Sequence, residues 1–280
     1  MLSLCGTYTE QSQMQEYDAC YAICKTCVQH TKVNYNPRDS DTFRLMMTLM
    51  LPLLMMRHRR IPRMKWKDEC TVNGKRWIEQ AQDGMSAERF MHSMIGYHSM
   101  FEGSLCSMIM VQGVKHRVVN IGIGTKQVQV EPKGTSVSAY IESQAHKLTP
   151  LEMGIINQDS DDATRLRRFC MILALKQAYV KAIGHANGFD YARLEFNVPE
   201  EVAMGDSYPL TGWEFRIWKT RLAVARRDQI VHEEYECVCA FFRGTTNSKF
   251  IFYDSPDDLN KWVQFINIDQ MVKVIPKLTA

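Results

Sequence analysis

The sequence predicts an α+β protein built from two similar lobes, and three observations lead there. In each half of the chain helical patterns come first and short strand patterns follow, without the strand–helix alternation of a parallel sheet. At 280 residues the chain is long enough for two units of about 140 residues, each with its own core. The register changes near residues 126–135, where a new helical stretch begins after Gly134. The expected organisation is an extension over 1–36, an N-terminal lobe over 37–125 and a C-terminal lobe over 126–280, the lobes meeting along a cleft.

The elements follow in order. "NPRDSD" (36–41) offers Asp39, Ser40 and Asp41 as helix caps, and the apolar run behind it predicts a helix from Thr42 to about Arg59, kinked at Pro52. Asn73-Gly74 is the strongest short hairpin signal. "GSLCSMIMVQG" (103–113) and "HRVVNIGIGT" (116–125) read as two strands joined by a turn at "GVK". "SVSAYIESQAHKLTPLEMGIINQ" reads as helical, with Thr149 capping Pro150, Leu151 and Glu152. The clearest helix runs through "DSDDATRLRRFCMILALKQAYVKAIGHANGF", with acids at its start and Gly184 and Gly188 at its end. "YARLEFNVP", "WEFRIWKTRL", "YECVCAFFRG" and "KFIFYD" read as strands.

Composition is that of an ordinary globular chain, 45% hydrophobic and 23% charged. A net charge of +3 does not argue for nucleic acid, although "MMRHRRIPRMKWK" (55–67) is a local basic cluster. The longest apolar run, "LMMTLMLPLLMM", is shorter than the roughly 20 residues a bilayer span requires and holds Pro52. No signal-peptide pattern opens the chain, so nine cysteines read as free thiols in a reducing, cytoplasmic setting. The 18 methionines fit core filling, or a pliable pocket for an apolar ligand.

"ACYAICKTC" (19–27) spaces Cys20, Cys24 and Cys27 as C-x3-C-x2-C, the arrangement of a radical enzyme's iron–sulfur cluster. No barrel-forming alternation follows it, and Thr26 stands where an aromatic is usual. Cys20 and Cys24, four residues apart, read instead as small hydrophobes on one helix face. A zinc site with His30 is the other alternative.

Several stretches, taken in order, resemble the larger, two-lobed 4'-phosphopantetheinyl transferases, especially the fungal branch. "DSDTFRLMMTLMLPLLMMRHRRIP" is similar to that family's first helix and "NGKRW" to its Gly-Lys-Pro element. "IGYHSMFEGSLCSMIMV" stands where the family has Asn-x-Ser-His and an apolar strand. "VVNIGIGTKQV" takes the place of Val-Gly-Ile-Asp-x-Glu, and "LTPLEMGII" that of the linker with its Glu. "RFCMILALKQAYVKAIGHANGF" follows the family's Phe-x-x-x-Trp-x-x-Lys-Glu-Ala-Tyr-x-Lys-x-x-Gly in register. The likeness covers roughly residues 35–245 and implies two α+β lobes related by a pseudo-two-fold axis.

The resemblance implies transfer of a phosphopantetheine arm from coenzyme A to a carrier-domain serine, assisted by Mg²⁺, which takes hard oxygen ligands. The three acidic positions read Gly124, Lys126 and Gln177 here. Their formal charge passes from −3 to about +1, which disfavours a dication. Leu173 replaces the family's Trp, and only His98 remains of Asn-x-Ser-His. Lys176 would face the nucleotide phosphates, Lys75 the ribose phosphate, and Lys181 would be a further cofactor contact. Lys176 and Lys181 point about 140° apart on a helix. Core packing of Tyr179 and His98, snorkelling of Lys181 and a salt bridge at Lys126 are the plainer alternatives.

The sequence-based expectation is a protein of transferase fold without the Mg²⁺ carboxylates, repurposed as a metal-independent enzyme acting on a small natural product in secondary metabolism. His98, Glu102, Lys126 and Lys176 are the candidate acid–base groups. No cofactor is required on this reading; coenzyme A is a candidate ligand and Mg²⁺ is disfavoured. A carrier domain of a polyketide or peptide synthase is a candidate partner, with no nucleic acid and no membrane span. The alternatives are a non-catalytic binder of carrier domains or coenzyme A, and an unorthodox but active transferase. Restoring Gly124→Asp, Lys126→Glu and Gln177→Glu together is expected to rescue transfer if only the metal was lost.

Overall fold

A computed structural model describes residues 2–3, 10–185, 188–226 and 229–278. Contacts divide the chain into two units. The first comprises Met1–Val119, Leu222–Glu233 and Lys261–Ala280; the second comprises Asn120–Arg221 and Glu234–Asn260.

In the first unit, strand β1 (Leu2–Ser3) is followed by helices α1 (Glu10–Cys27) and α2 (Ser40–His58). Asp39 is the N-cap of α2, accepting from the amide of Asp41, and the helix continues past Pro52 to its basic end. Strands β2 (Trp66–Cys70) and β3 (Arg76–Gln80) form the hairpin expected at Asn73-Gly74; Gly74 takes the positive φ of +77° that the turn requires. After the short α3 (Ala87–Met91), β4 (Met94–Glu102) and β5 (Leu105–Gly113) pair antiparallel along their whole length.

"GVK" does not make the expected hairpin. Lys115–Val118 is a helical turn, α4, whose Val118 packs with Trp77 and Met94. A Cβ on Gly96 would lie 1.8 Å from the Val118 carbonyl oxygen, so this turn sits directly on β4. Short apolar runs do not separate a helical turn from a strand, which is why 116–120 read as strand.

The sheet order of the unit sets the strand Ile266–Asn267 beside β1, then β5, β4, β3 and β2. Its core joins Met46, Met47, Met50 and Met56 of α2 to Ile78, Ile95 and Cys106, with Met271, Ile275 and Leu278 from the C-terminal segment. The first 36 residues are therefore more than an extension: α1 buries Tyr17, Cys20, Ile23 and Cys24 in this core.

The second unit begins with β6 (Ile121–Gln127), α5 (Val137–Ser143), α6 (Pro150–Asn157) and α7 (Asp162–Ile183). Thr149 and Glu152 form the capping box of α6; Asp161 caps α7, and Gly184, with φ +76°, ends it. Strands β7 (Leu194–Asn197), β8 (Val202–Gly205) and β9 (Tyr208–Pro209) make a small sheet. Strands β10 (Trp213–Arg226), β11 (Gln229–Phe242) and β12 (Lys249–Tyr253) join β6 in the order β12-β10-β11-β6, and α8 (Pro256–Asn260) follows. β6 thus opens the second unit rather than closing the first, because its partner is β11.

The architecture is α+β, as expected. Among the described residues no helix is long and apolar enough to cross a membrane.

Candidate functional site

Where β6 meets α7, the strand presents Gly122 and Gly124 to Ala174, Ala178 and Ala182 of the helix. A Cβ on Gly122 would stand 2.1 Å from the Ala178 carbonyl oxygen and 2.6 Å from the Ala182 amide nitrogen. One on Gly124 would stand 2.0 Å from the Ala174 oxygen and 2.8 Å from the Ala178 nitrogen. The two lattices match: four helical residues rise about 6 Å, and two strand residues about 6.6 Å. Glycines two apart therefore meet alanines four apart, and the backbones touch. Position 124 holds no side chain in this packing.

The neighbouring positions complete the picture. β6 is the edge strand, and Gln177 Oε1 accepts from its Thr125 amide at 3.1 Å. Lys126 lies directly across from Glu236 of β11. Each position at which the resemblance expects a carboxylate therefore has another occupant: close-packed backbone, a cation, and an amide bonded to the strand. Among the described residues no three His, Cys, Asp or Glu side chains come together as a metal site would require. These residues do not fit Mg²⁺.

Lys176 is elsewhere than expected. It is 0% exposed, and its Nζ lies 2.6 Å from Glu152 Oε2. It also donates to the carbonyl oxygens of Lys147 at 2.8 Å, Tyr191 at 2.9 Å and Leu194 at 2.7 Å. Glu152, also 0% exposed, accepts from the amides of Thr149 and Phe196, both at 2.9 Å. Burial pushes the lysine's pKa down and the carboxyl's up, while their mutual attraction opposes both shifts. The expectation that Lys176 faces phosphates or acts as an acid–base group is corrected: its ammonium is turned inward and holds four segments of the second unit.

The remaining candidates separate by unit. His98 and Glu102 are half-buried on β4, four residues apart and so on one face of the strand. Lys75 ends the β2–β3 turn, its amide bonded to Thr71 Oγ1 at 3.0 Å, and burial lowers its pKa. These three belong to the first unit, whereas Lys126, Lys176 and Lys181 belong to the second. Lys181 is half-buried in the last turn of α7. Tyr179 packs edge-on to Trp213, with ring centres 4.9 Å apart, and Leu173 is buried in the core.

Cys20 and Cys24 are buried in the core of the first unit, and the Cys24 thiol, pushed up to about 12 by burial, donates weakly to the Met46 carbonyl. His30 is turned away from them, its Nε2 2.6 Å from the Asp68 carbonyl oxygen. The core reading of the cysteines holds.

One group was missed. Glu236 is 2% exposed, and its Oε2 is buried without a hydrogen-bond partner. Burial raises its pKa from 4.5 to about 7; Lys219 and Arg167 pull it down, and Glu234 pushes it up. In the sequence it is one acid among "HEEYECVC", and only the pairing with β6 turns it inward. Below pH 4.5 this carboxyl is protonated whether the chain is folded or not. Between about 4.5 and 7 the unfolded chain releases the proton and the folded one keeps it, so stability falls as pH rises. Above 7 the full penalty applies, on the order of 3 kcal/mol. Glu236→Gln is expected to raise stability by up to that amount at pH 8 and to leave it unchanged at pH 4. Urea midpoints at both pH values test this, and an equal shift at both would count against it.

No family model matches the chain. Among characterised proteins it is similar to the 4'-phosphopantetheinyl transferase pptA of Paxillus involutus, 25% identical over 249 residues, 84% of this chain and 88% of that protein. A shorter stretch of 94 residues is 33% identical to the L-aminoadipate-semialdehyde dehydrogenase-phosphopantetheinyl transferase of Mus musculus, covering 33% of this chain and 30% of that one. Another of 105 residues is 34% identical to a phosphopantetheinyl transferase of Thraustochytrium sp., 35% of each chain. With a likeness that spans 84% of the chain and an α+β fold to match, the 4'-phosphopantetheinyl transferase superfamily is the one these similarities support.

Proposed function

We propose that this chain is a phosphopantetheinyl-transferase-like protein that works without Mg²⁺ carboxylates, repurposed as a metal-independent enzyme acting on a small natural product in secondary metabolism. The observation that carries this reading is Gly124, set so close to the Ala174 carbonyl that a carboxylate has no room beside the helix. Lys126 supports it by placing positive charge where a dication would need negative charge. With Lys176 turned inward, the acid–base candidates are Lys126 and Glu236 in the second unit and His98 and Glu102 in the first. Glu236, with its pKa raised to about 7, matches the requirement that a proton-transfer group titrate near the working pH.

A second reading, a non-catalytic binder of carrier domains or coenzyme A, is favoured by the burial of Lys176, which removes one of the four acid–base groups expected from the sequence. The named relatives are phosphopantetheinyl transferases, so a carrier domain is the natural macromolecule to test.

The deciding experiment is intact-mass analysis of an apo carrier domain incubated with this protein, coenzyme A and Mg²⁺. The expected result is no mass gain, with a known transferase succeeding in parallel. A gain of one phosphopantetheine arm, abolished by a chelator, would overturn the metal-independent reading. Calorimetry with coenzyme A then separates the other two: tight binding in EDTA with no turnover of small molecules favours the binder.

A further inference from the structure

We propose that one end of the first unit's sheet is a docking face for an anionic bilayer surface, where lysines and arginines from four segments meet acidic lipid headgroups and two exposed methionines enter the boundary with the acyl chains. The inference goes beyond the transferase-like reading above and does not depend on it.

The register of the sheet gathers these segments. Trp66 pairs with Gln80, Ile78 with Ile95 and Met94 with Gly113, so β2 begins, β3 ends, β4 begins and β5 ends at the same end of the sheet. The turn Arg63–Lys65 leads into β2 there, α3 leads into β4, and α4 follows β5. The C-terminal end of α2 lies there too, because Arg59 donates to Gln112 Oε1 near the end of β5. The end of α2 brings Arg57, Arg59 and Arg60, and the turn brings Arg63 and Lys65. Arg89 comes from α3, and Lys115 and Arg117 come from α4. Within residues 57–66, 80–94 and 112–118 the acids are Asp83 and Glu88, and Lys65 already holds Asp83 at 3.5 Å. The local basic run of the sequence is thus one part of a larger positive surface.

The character of the face selects a bilayer among polyanions. Met64 is 89% exposed and Met91 55% exposed, both at this end of the sheet. A flexible apolar thioether offers nothing to a phosphodiester backbone but suits the fluid edge of the acyl region, where an apolar contact and anionic attraction add. The tryptophans at this end, Trp66 and Trp77, are buried, so they give bases no ring to stack on. Arg60 and Arg117 are exposed, and among the described residues neither side chain makes an ion pair or a hydrogen bond. A tight protein interface gains by holding its charged side chains in advance, whereas a field of mobile headgroups does not require it. Arg60 also takes a left-handed φ of +57°, so a charged side chain stands where the backbone favours glycine.

The test is co-sedimentation of the full chain at low salt with phosphatidylcholine vesicles and with vesicles of about one third phosphatidylserine. Binding is expected to the second and not to the first, and is expected to fall steeply as salt is added. Arg60→Glu and Arg117→Glu are each expected to weaken it by about fivefold or more, the effect of one charge at such a surface. Met64→Ser is expected to weaken it by about fivefold without changing its salt dependence, since it removes apolar contact and no charge. Arg38→Glu is the control: it changes the net charge equally but stands before the first turn of α2, a helix length of about 28 Å from Arg60 and beyond the reach of screened charge. It is expected to bind within about twofold of wild type, and thermal midpoints establish that all four variants are folded. If the phosphatidylserine vesicles leave wild type in solution, or if Arg38→Glu loses as much as Arg60→Glu, the docking face is overturned. Retention by duplex DNA or polyglutamate but not by vesicles would overturn it as well, and would assign the positive surface to another polyanion.

Discussion

Gly124→Asp is expected to unfold or grossly loosen the second unit rather than restore metal binding. The new Cβ alone would stand 2.0 Å from the Ala174 carbonyl oxygen, and that neighbour is helix backbone, which has no rotamer to change. Overpacking of a close-packed site costs about 1–3 kcal/mol, and a carboxylate buried without a donor adds several more. A total of about 4 kcal/mol or more would be a large share of the stability of a unit this size. Equilibrium urea denaturation followed by tryptophan fluorescence measures it, with Gly124→Ala as the comparison that carries the steric part without the charge. A Gly124→Asp protein of wild-type stability would mean that β6 and α7 lie further apart than described here. The triple restoration of Asp, Glu and Glu therefore does not isolate the loss of metal: its failure would follow from the glycine alone.

Lys176→Met is the second large effect. The methionine keeps the length of the side chain but removes the ammonium that binds Glu152 and three carbonyl oxygens. Removing one partner of a buried ion pair costs about 3–5 kcal/mol, because the other charge is left behind uncompensated. Glu152→Gln should cost a comparable amount, since its single amide oxygen can accept from Thr149 or from Phe196 but not from both, and the Lys176 ammonium loses its counter-charge. The double variant should be markedly more stable than the sum of the two losses predicts, the signature of two groups that act on each other. Denaturation midpoints of the four proteins complete the cycle. Strict additivity would count against the pair. A Lys176→Met protein of full stability that had lost coenzyme A affinity would return Lys176 to the ligand-facing role its place in the motif suggests.

Much of the fold was legible because it is written in local rules. Asp39, Thr149 and Asp161 announce their helices through the hydrogen bonds that capping demands, Gly184 ends α7 in the one conformation that favours it, and Asn73-Gly74 makes its hairpin. What the sequence hid was partnership. "NIGIGT" reads as a strand, but nothing local says that it pairs with β11, so the division after Val119 and the helical turn at Lys115–Val118 were not foreseen. The site shows the same split. Loss of the three carboxylates is visible by register with the family, yet the reason a side chain cannot stand at 124 lies in alanines fifty residues away. Gly122 and Gly124 at a spacing of two, with Ala174, Ala178 and Ala182 at a spacing of four, are the signal that could have revealed it. Lys176 misled for the converse reason: its place in the family's motif implies a ligand-facing role, and only the burial of Glu152 shows that a charge awaits it inside. Glu236 carries no motif and became visible only once β6 and β11 had been brought together.

The sheet of the first unit has a bearing on how the chain is made. Its strand order seats Leu2–Ser3 between β5 and Ile266–Asn267, and its core takes in Met271, Ile275 and Leu278, which follow the second unit in sequence. The second unit, by contrast, has all of its residues once Asn260 has been added. During synthesis the half that leaves the ribosome first therefore finishes last, waiting with an open edge at β5 and an unfilled methionine-rich core while its successor closes. Loss of the residues that follow Asn260 would therefore damage the unit that holds Met1–Val119, and the interval before they are added is the one in which that unit would most need a chaperone's cover.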